Sequence, residues 1–391
     1  MEVEKQLRNQ VLAVVVPHSG QGTETFIRRY CQEICPERTV MIHFYRGADQ
    51  WRINGPVYSL PTATFGSIPA WKVFRGMQKL CGIKGLFGDP YTNHSLATFL
   101  RRHRVTSVFS QYLTAGWNVH PVVKRLGLRH VVRGHGFDVS AALENPQTCR
   151  QYQVLADADA IVVPTPYQVA RLRQIGLSQA NLISVPCGVD IPDRQALPPK
   201  TKNGGDGVVR VVAAGRMVAK KAPLTAIKAF LLAVKSCPKM ELVFIGNGPL
   251  EASVKDYVTQ HDRQSRIRLV GARPHAEVLQ AMKEADVFLQ HSITDPQTGD
   301  QEGAPVAILE AMARALPVVS TLHSGIPHLV ESGATGLLTG EGDVPAMAAS
   351  LVQLARSPEL RRSMGIAGRQ RAETFSWERE RETLVKLLFP A

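Results

Sequence analysis

The sequence predicts two doubly wound α/β domains in tandem, facing a central cleft. Short apolar runs alternate with longer segments of helical periodicity, and this alternation is typical of parallel sheets covered by helices. The alternation stops at residues 192–207, which are rich in Pro, Gly and charge, and then starts again. A chain of 391 residues is long enough for two domains. Such sheets bind ligands beyond the carboxyl ends of their strands, so we expect the site in the cleft.

The first domain is predicted at residues 1–191. Its first strand is the run "VLAVVV", followed by a helix through "TETFIRRYCQEI" and a strand at "TVMIHFY". Three later runs predict further strands: "VTSVFSQ", "HVVRGHG" and "AIVVPT".

The second domain is predicted at residues 208–375, after the linker at 192–207. We expect its strands at "VVRVVAAG", "ELVFIG", "RIRLVG", "VFLQHS" and "PVVST". Helices are expected through "PLTAIKAFLLAV", "HAEVLQAMKEA" and "PVAILEAMARA". The amphipathic end, residues 376–391, predicts a helix that packs back on the first domain.

The composition and charge favour an anionic partner and disfavour a zinc protein and a membrane-spanning protein. A net charge of +13 favours an anionic partner, which could be nucleic acid, a lipid surface or a phosphorylated substrate. Residues 1–190 carry 21 basic and 12 acidic side chains, so most of the excess lies in the first half. The six cysteines form no CxxC pair, which disfavours a zinc site. No run reaches the roughly 18 apolar residues of a membrane span, and the first residues do not resemble a signal peptide, so we expect a cytoplasmic protein.

Two glutamates, Glu302 and Glu310, stand eight positions apart in "EGAPVAILEAMARA". If a helix begins near Pro305, the amides of Gly303 and Ala304 are free at its positive end to hold a phosphate or carboxylate. Ionised carboxylates there can accept hydrogen bonds from the hydroxyls of a sugar or ribose. The alternative, from spacing alone, is a solvated pair on the flank of a helix.

Cations and glycines follow strands at places suited to a phosphate. Arg216 and Lys221 lie just past a strand, where they could neutralise a pyrophosphate or simply be solvated surface cations. Gly20 and Gly22 precede a helix, so the backbone there could approach a phosphate. The full G-x-G-x-x-G pattern is absent, which disfavours an NAD enzyme.

A histidine lies in a loop that follows the strand "HVV". His135 stands between two glycines, where it is either satisfied within the protein or a hydrogen-bond partner for a substrate. Asp138 follows shortly after and could orient this loop.

The segment around the two glutamates resembles the E-x7-E element of retaining glycosyltransferases of the GT-B fold, in particular glycosyltransferase family 4. The following "LPVVSTLHSGIPHLVESGATGLL", residues 316–338, is also similar to that family. Further landmarks are "HSGQGTETFIRRY", "VRGHGFDV", "GRMVAKK" and "FIGNGPLE". The resemblance covers essentially the whole chain and is most specific at residues 208–340.

The resemblance implies a retaining hexosyltransferase. The donor would be a UDP- or GDP-sugar bound by the second domain, and the acceptor a hydroxyl of a growing glycan or lipid-linked oligosaccharide bound by the first. The nucleotide sugar is a substrate, so no cofactor is implied, and the cations make a metal ion unnecessary. Residues 291–305 resemble members that build extracellular polysaccharides. We expect the enzyme in the cytoplasm, peripheral at the inner face of the cell membrane.

The same resemblance assigns residues to roles. Arg216 and Lys221 would bind the donor diphosphate, Glu310 the ribose and Glu302 the sugar hydroxyls; Lys221 fits the family spacing better than Lys220. The implied catalytic residues are His135, Glu302, Arg216 and Lys221. The implied donor-binding residues are Gly20, Gly22, Gly215, Arg216, Lys221, Gly246, Gly248, Pro249, Glu302, Gly303, Ala304, Pro305 and Glu310.

Several alternatives stay open. The pair Asp157-x-Asp159 resembles the metal-binding DxD of another glycosyltransferase fold, but it precedes a strand and we interpret it as structural. A sugar-nucleotide epimerase of the same fold is the second hypothesis for function. A nucleic-acid binder is suggested by charge alone. Residues 67–87 are either a helix with an inward aromatic stripe or an interfacial segment that contacts an anionic membrane.

Overall fold

The computed structural model describes residues 6–19, 25–46, 55–59, 64–65, 68–69, 90–193 and 207–390. It divides into two compact units. The first lies within Met1–Val163, Val169–Val185 and Arg381–Ala391, and the second within Pro164–Gln168 and Pro186–Glu380. The predicted class of two doubly wound α/β domains is confirmed, because each unit contains one parallel sheet. The predicted domain limits stay a prediction, and residues 194–206 of the linker lie outside the described residues.

The first unit is built on a seven-stranded parallel sheet. Its strands are β1 (Leu12–Ser19), β2 (Thr39–Arg46), β3 (Val57–Ser59), β6 (Ser107–Gln111), β7 (Arg129–Arg133), β8 (Ala160–Val163) and β9 (Leu182–Ser184). They lie in the order β3-β2-β1-β6-β7-β8-β9. Every residue of β6 and β8 is buried, as expected for strands of a sheet with both faces covered.

The helices along the first half of the chain are α1 (Thr25–Arg29), α2 (Pro90–Arg102), α3 (Leu113–Arg125), α4 (Pro146–Tyr152) and α5 (Pro166–Gln174). The helix expected through "TETFIRRYCQEI" is short, since α1 passes into a π-helical turn at Tyr30–Ile34. Two short strands, β4 (Thr64–Phe65) and β5 (Ile68–Pro69), form a separate antiparallel pair. Ile68 and Pro69 therefore lie in a strand, and residues 67 and 70–87 of this segment are outside the described residues.

The second unit is built on a six-stranded parallel sheet. Its strands are β10 (Val209–Ala214), β11 (Met240–Ile245), β12 (Ile267–Leu269), β13 (Val287–Leu289), β14 (Val318–Thr321) and β15 (Gly336–Thr339). They lie in the order β12-β11-β10-β13-β14-β15. The strand order reverses between β10 and β13, and the crevice at such a reversal is the usual ligand site of an open α/β sheet.

The helices of the second half are α6 (Pro223–Ser236), α7 (Glu251–His261), α8 (His275–Glu284), α9 (Val306–Ala313), α10 (Ile326–Leu329), α11 (Val344–Arg356), α12 (Pro358–Ala372) and α13 (Trp377–Leu388). Helix α9 begins at Val306 with Pro305 as its N-cap residue. The last part of α13 lies in the first unit, where Arg381 Nε donates a hydrogen bond of 2.6 Å to the carbonyl of Glu33. Within the described ranges, no helix is both long and apolar enough to cross a membrane.

Candidate active site

A pocket lies at the carboxyl ends of β10 and β13, within the second unit. Its polar lining consists of Gly215, Arg216 and Lys221 after β10, together with Gln290 and His291 after β13. The rest of the lining is apolar: Ala213, Ala214, Ala226, Phe244 and Leu289. Two cations above an apolar floor at the reversal of strand order form a site suited to an anionic ligand.

Two glycines after β11 allow the loop that carries Arg216 to lie close to its neighbour. A Cβ on Gly246 would lie 1.9 Å from the Gly215 carbonyl oxygen, and one on Gly248 would lie 2.6 Å from that of Met217. Both glycines have positive φ, at 144° and 153°. Any other side chain would push the two loops apart, so these glycines fix the position of the Arg216 loop.

The two predicted diphosphate ligands differ in their surroundings. The Arg216 residue is exposed, and its guanidinium forms no hydrogen bond or ion pair with any described residue. Lys221 is half-buried, and its Nζ lies 2.8 Å from Glu302 Oε2. The neighbouring Lys220 pairs instead with Asp300, at 2.9 Å. The adjacent lysines therefore serve different carboxylates, and Lys221 is the one that lines the pocket.

The electrostatics keep Glu302 ionised. Burial alone would raise the pKa of the Glu302 carboxyl, but the charges of Lys221 and Lys220 outweigh burial and hold the pKa below its ordinary value. The carboxylate can therefore act as a hydrogen-bond acceptor at neutral pH, while its negative charge holds the Lys221 ammonium beside the pocket.

The backbone of Glu302 is held by a histidine that the sequence analysis did not single out. The Glu302 N–H donates a 3.1 Å hydrogen bond to His323 Nε2, and His323 Nδ1 donates at 2.6 Å to Glu341 Oε1. The second oxygen of Glu341 accepts from the Thr294 N–H at 2.9 Å. This arrangement requires the neutral histidine tautomer with its proton on Nδ1, and it ties Glu302 to the loops after β13, β14 and β15.

Glu310 lies in α9 and is largely covered. Its Oε1 accepts a 2.6 Å hydrogen bond from His275 Nε2, which raises the pKa of His275. Before the helix, Gly303 is buried against Gly325, where an added Cβ would lie 2.1 Å from the Gly303 carbonyl oxygen. Glu302 and Glu310 are thus both largely covered and each has a side-chain partner, unlike the solvated pair on a helix flank that spacing alone allowed.

His135 lies in the first unit, in the loop after β7. Burial, together with the nearby charge of Arg133, lowers the pKa of His135 to about 3, so its imidazole is neutral. Its Nε2 is 3.2 Å from Gln111 Oε1, and its ring packs against those of Phe26 and Tyr112. A neutral imidazole in this position offers a hydrogen bond and no charge.

Asp138 holds the His135 loop. Its carboxylate accepts a 2.9 Å hydrogen bond from the His135 N–H, and Tyr152 donates its hydroxyl at 3.4 Å. Burial raises the pKa of Asp138 to about 7 despite these bonds and others from the first amides of α3. These contacts agree with the loop-orienting role predicted for Asp138.

The second half of the chain matches a family model described as glycosyl transferases group 1, over residues 197–371. The model described as glycosyltransferase family 4 matches residues 69–192. A relative named for colanic acid biosynthesis, the glycosyltransferase WcaL of Salmonella typhimurium, is 32% identical over 301 residues, which cover 73% of this chain and 72% of WcaL. The chain belongs to glycosyltransferase family 4.

Other comparisons agree with this family. The amylovoran biosynthesis glycosyltransferase AmsK of Erwinia amylovora is 32% identical over 257 residues, which span 64% of this chain and 61% of AmsK. Among solved structures, HepE of Anabaena in complex with UDP is similar with a TM-score of 0.76, at 16% identity, over 96% of this glycosyltransferase and 99% of HepE. At that identity the likeness to HepE shows the fold.

The acidic pair that resembled a metal motif has protein partners in this glycosyltransferase. Asp157 accepts a 2.8 Å hydrogen bond from His120 Nε2, and Asp159 accepts from the His130 N–H, also at 2.8 Å. Within the described parts of the chain, no group of three or more His, Cys, Asp or Glu side chains is arranged to hold a metal ion.

The remaining predictions divide by position. Gly20 and Gly22 lie outside the described residues. Gly215, Arg216 and Lys221 lie together at the pocket, and Lys221 joins them to Glu302. Sequence reasoning missed a set of polar residues around this pocket, His291, Gln290, His323 and Glu341, and it also missed Gln111 beside His135 in the first unit. A histidine at or just past the end of a predicted strand was the available signal, and it was used for His135 but not for His291 or His323.

Proposed function

We propose that this glycosyltransferase moves a hexosyl group from a UDP- or GDP-sugar to a hydroxyl of a growing glycan or lipid-linked oligosaccharide, with retention and without a metal ion. The observation that carries the proposal is the ion pair between Lys221 and Glu302 at the pocket that also contains Arg216. It joins a cation for a diphosphate to a carboxylate for sugar hydroxyls, as a nucleotide sugar requires.

Each residue has a part in the proposed reaction. Arg216 and Lys221 stabilise the negative charge that the diphosphate gains as the bond from the anomeric carbon to the phosphate oxygen breaks. The Glu302 carboxylate accepts hydrogen bonds from the donor sugar, and the amides of Gly303 and Ala304 donate hydrogen bonds to it. Glu310 binds the ribose. Gly246, Gly248 and Pro249 shape the loop that faces the nucleotide, Pro305 starts the helix of Glu310, and Gly20 and Gly22 approach the phosphates.

The acceptor attacks from the face that the diphosphate leaves. The acceptor oxygen bonds to the anomeric carbon, and its proton passes to the departing phosphate oxygen, so that no carboxylate of the protein is glycosylated. His135 is assigned to the donor sugar through the family resemblance, and its neutral imidazole supports a hydrogen bond to a hydroxyl. We place the enzyme in the cytoplasm at the inner face of the membrane, where a lipid-linked acceptor lies.

Thermal unfolding with added nucleotides tests the donor site. A ligand that binds the folded state raises Tm by mass action, so one of UDP, GDP, ADP and CDP should do so, and the shift should survive EDTA. Loss of the shift in EDTA would contradict metal independence. No shift with any nucleotide would contradict the donor site itself.

Glu302→Gln tests the mechanism. The amide keeps the size of the side chain but loses the charge, so we expect turnover to fall by about 100-fold or more, with no glycosylated protein. Mass spectrometry of the variant incubated with donor would show an adduct if a carboxylate nucleophile existed. That adduct would overturn front-face attack.

Incubation with donor alone separates the transferase from the epimerase. A transferase needs an acceptor to consume its donor at full rate, whereas an epimerase converts the sugar without one. The family membership supports the transferase, and release of an epimerised nucleotide sugar would contradict it.

A further inference from the structure

His291 is a buried histidine that is not among the predicted donor-binding residues. It follows β13, is only 1% exposed, and lines the pocket that also contains Arg216 and Lys221. The predicted donor ligands come from other segments of the chain, so His291 adds a polar group from a different strand end.

The protonation of His291 follows from one backbone contact. The Gly342 N–H donates a 3.0 Å hydrogen bond to His291 Nε2, so Nε2 carries no proton. Burial lowers the pKa of His291 to about 4, so the ring is neutral at pH 7 and its single proton is on Nδ1. His291 Nδ1 is therefore a hydrogen-bond donor.

This donor has no acceptor among the described residues, although its atom is buried. A buried N–H without a partner is costly, and proteins rarely keep one unless a ligand or water completes it. The pocket beside it contains two cations, so the acceptor that best fits this site is an anionic oxygen.

We infer that His291 Nδ1–H donates a hydrogen bond to a phosphate oxygen of the bound nucleoside diphosphate. This inference rests on the proposed function and adds a third diphosphate ligand to Arg216 and Lys221. Because His291 is neutral, its hydrogen bond orients the phosphate oxygen without adding a positive charge to the site. It also connects the diphosphate to the loop of Glu341 and Gly342, and through His323 to the backbone of Glu302.

Two substitutions separate ligand binding from a purely structural role. His291→Gln can keep an acceptor for the Gly342 N–H where Nε2 lies, but it loses the donor at the position of Nδ1. His291→Asn keeps a donor near the position of Nδ1 and loses the acceptor for Gly342. A role in the loop alone would make the asparagine variant the weaker protein, whereas a role in binding makes the glutamine variant the weaker binder.

The test is titration calorimetry with whichever of UDP and GDP binds the wild type, and with its parent nucleoside. We expect the glutamine variant to bind the diphosphate about 10- to 100-fold more weakly and the nucleoside unchanged, with the asparagine variant close to wild type. Circular dichroism and Tm confirm that both variants are folded.

Other results would overturn the inference. Wild-type affinity for the diphosphate in the glutamine variant contradicts it and leaves the proposed function standing. Equal losses for nucleoside and diphosphate also contradict it, because they indicate a general disturbance of the pocket. If the wild type binds neither nucleotide, the proposed function itself is contradicted, and this inference is contradicted with it because it rests on that function.

Discussion

At the scale of single residues, Lys220 and Lys221 bind different carboxylates of the candidate site. The two side chains are adjacent in sequence, yet one pairs with Asp300 and the other with Glu302. A short helical turn at Ala219–Lys221 separates their directions. Neutralising one of them should therefore affect nucleotide binding far more than neutralising the other.

Lys221→Met should weaken binding of the nucleoside diphosphate by about 10- to 100-fold, because a charge-assisted contact to phosphate is lost. Lys220→Met is the matched control, since it removes the same charge one residue away and should change affinity little. Calorimetry with both variants measures the difference. Equal losses would contradict the assignment of Lys221.

The sequence predicted only some of the residues of the candidate site. The family pattern identified Arg216, Lys221 and Glu302, which the structure brings to one pocket or joins by an ion pair. It did not identify His323 or His291, because their partners are the backbone N–H groups of Glu302 and Gly342. Such contacts depend on how loops from separate strands meet, which no local spacing records.

At the scale of elements, the two loops after β10 and β11 act as one support. Gly215 N–H donates to the Ile245 carbonyl at 3.0 Å, and Met217 N–H donates to that of Asn247 at 2.8 Å. The close approach needs Gly246, whose missing side chain leaves room for the Gly215 carbonyl. The position of Arg216 thus depends on a glycine about thirty residues further along the chain.

Gly246→Ala should destabilise the protein and weaken nucleotide binding, because the added Cβ would overlap a carbonyl oxygen at 1.9 Å. Gly271→Ala is a matched control: its φ is also positive, at 71°, but nothing lies within 4 Å of the new Cβ. The control should lower the free energy of unfolding only by the backbone strain of a side chain at positive φ, about 1 to 2 kcal/mol. Urea unfolding of both variants checks this, and equal costs would refute the steric argument.

Elements differed in how well the sequence predicted them. The fully buried strand β8 was found because its apolar run is continuous. Short strands such as β3 and β9 were missed because no residue of either is fully buried, so their sequences contain no marked apolar run. Helix α3 contains Pro121, which hides its periodicity, yet its apolar face is buried all the same.

At the scale of the whole molecule, buried neutral histidines make stability depend on pH. Burial and the neighbouring His120 lower the pKa of His130 to about 3, whereas the unfolded chain has a value near 6.5. The unfolded state therefore binds more protons between these values, and the free energy of unfolding falls as pH drops below 6.5. His135 acts in the same direction.

His130→Gln should flatten this dependence. Between pH 7 and pH 5, about 2 kcal/mol of the wild-type loss in unfolding free energy should disappear in the variant, because one titrating group is removed. Urea titrations at the two pH values measure it. An unchanged difference between pH 7 and pH 5 would show that His130 is not the group responsible.

The basic first half of the sequence gives a prediction for the membrane proposal. At low salt the protein should co-sediment with vesicles of the anionic lipid phosphatidylglycerol and should not co-sediment with vesicles of phosphatidylcholine. The reason is that basic side chains bind an anionic membrane surface and salt screens this attraction. Replacing Lys72 and Arg75 by glutamine should weaken sedimentation more than replacing Lys235 and Arg273. Equal effects would remove residues 67–87 from the proposal.

The sheet order of the first unit also affects how the chain folds as it is made. Strand β1 lies between β2 and β6, and its register pairs Leu12 with both Thr39 and Ser107. One edge of this apolar strand therefore has no partner until the chain reaches Gln111. At about 5 to 20 residues per second, the delay after β2 is synthesised is roughly 3 to 13 s. During that time the nascent chain exposes an unpaired strand edge, so we expect its folding yield in the cell to depend on a chaperone that covers "LAVVV".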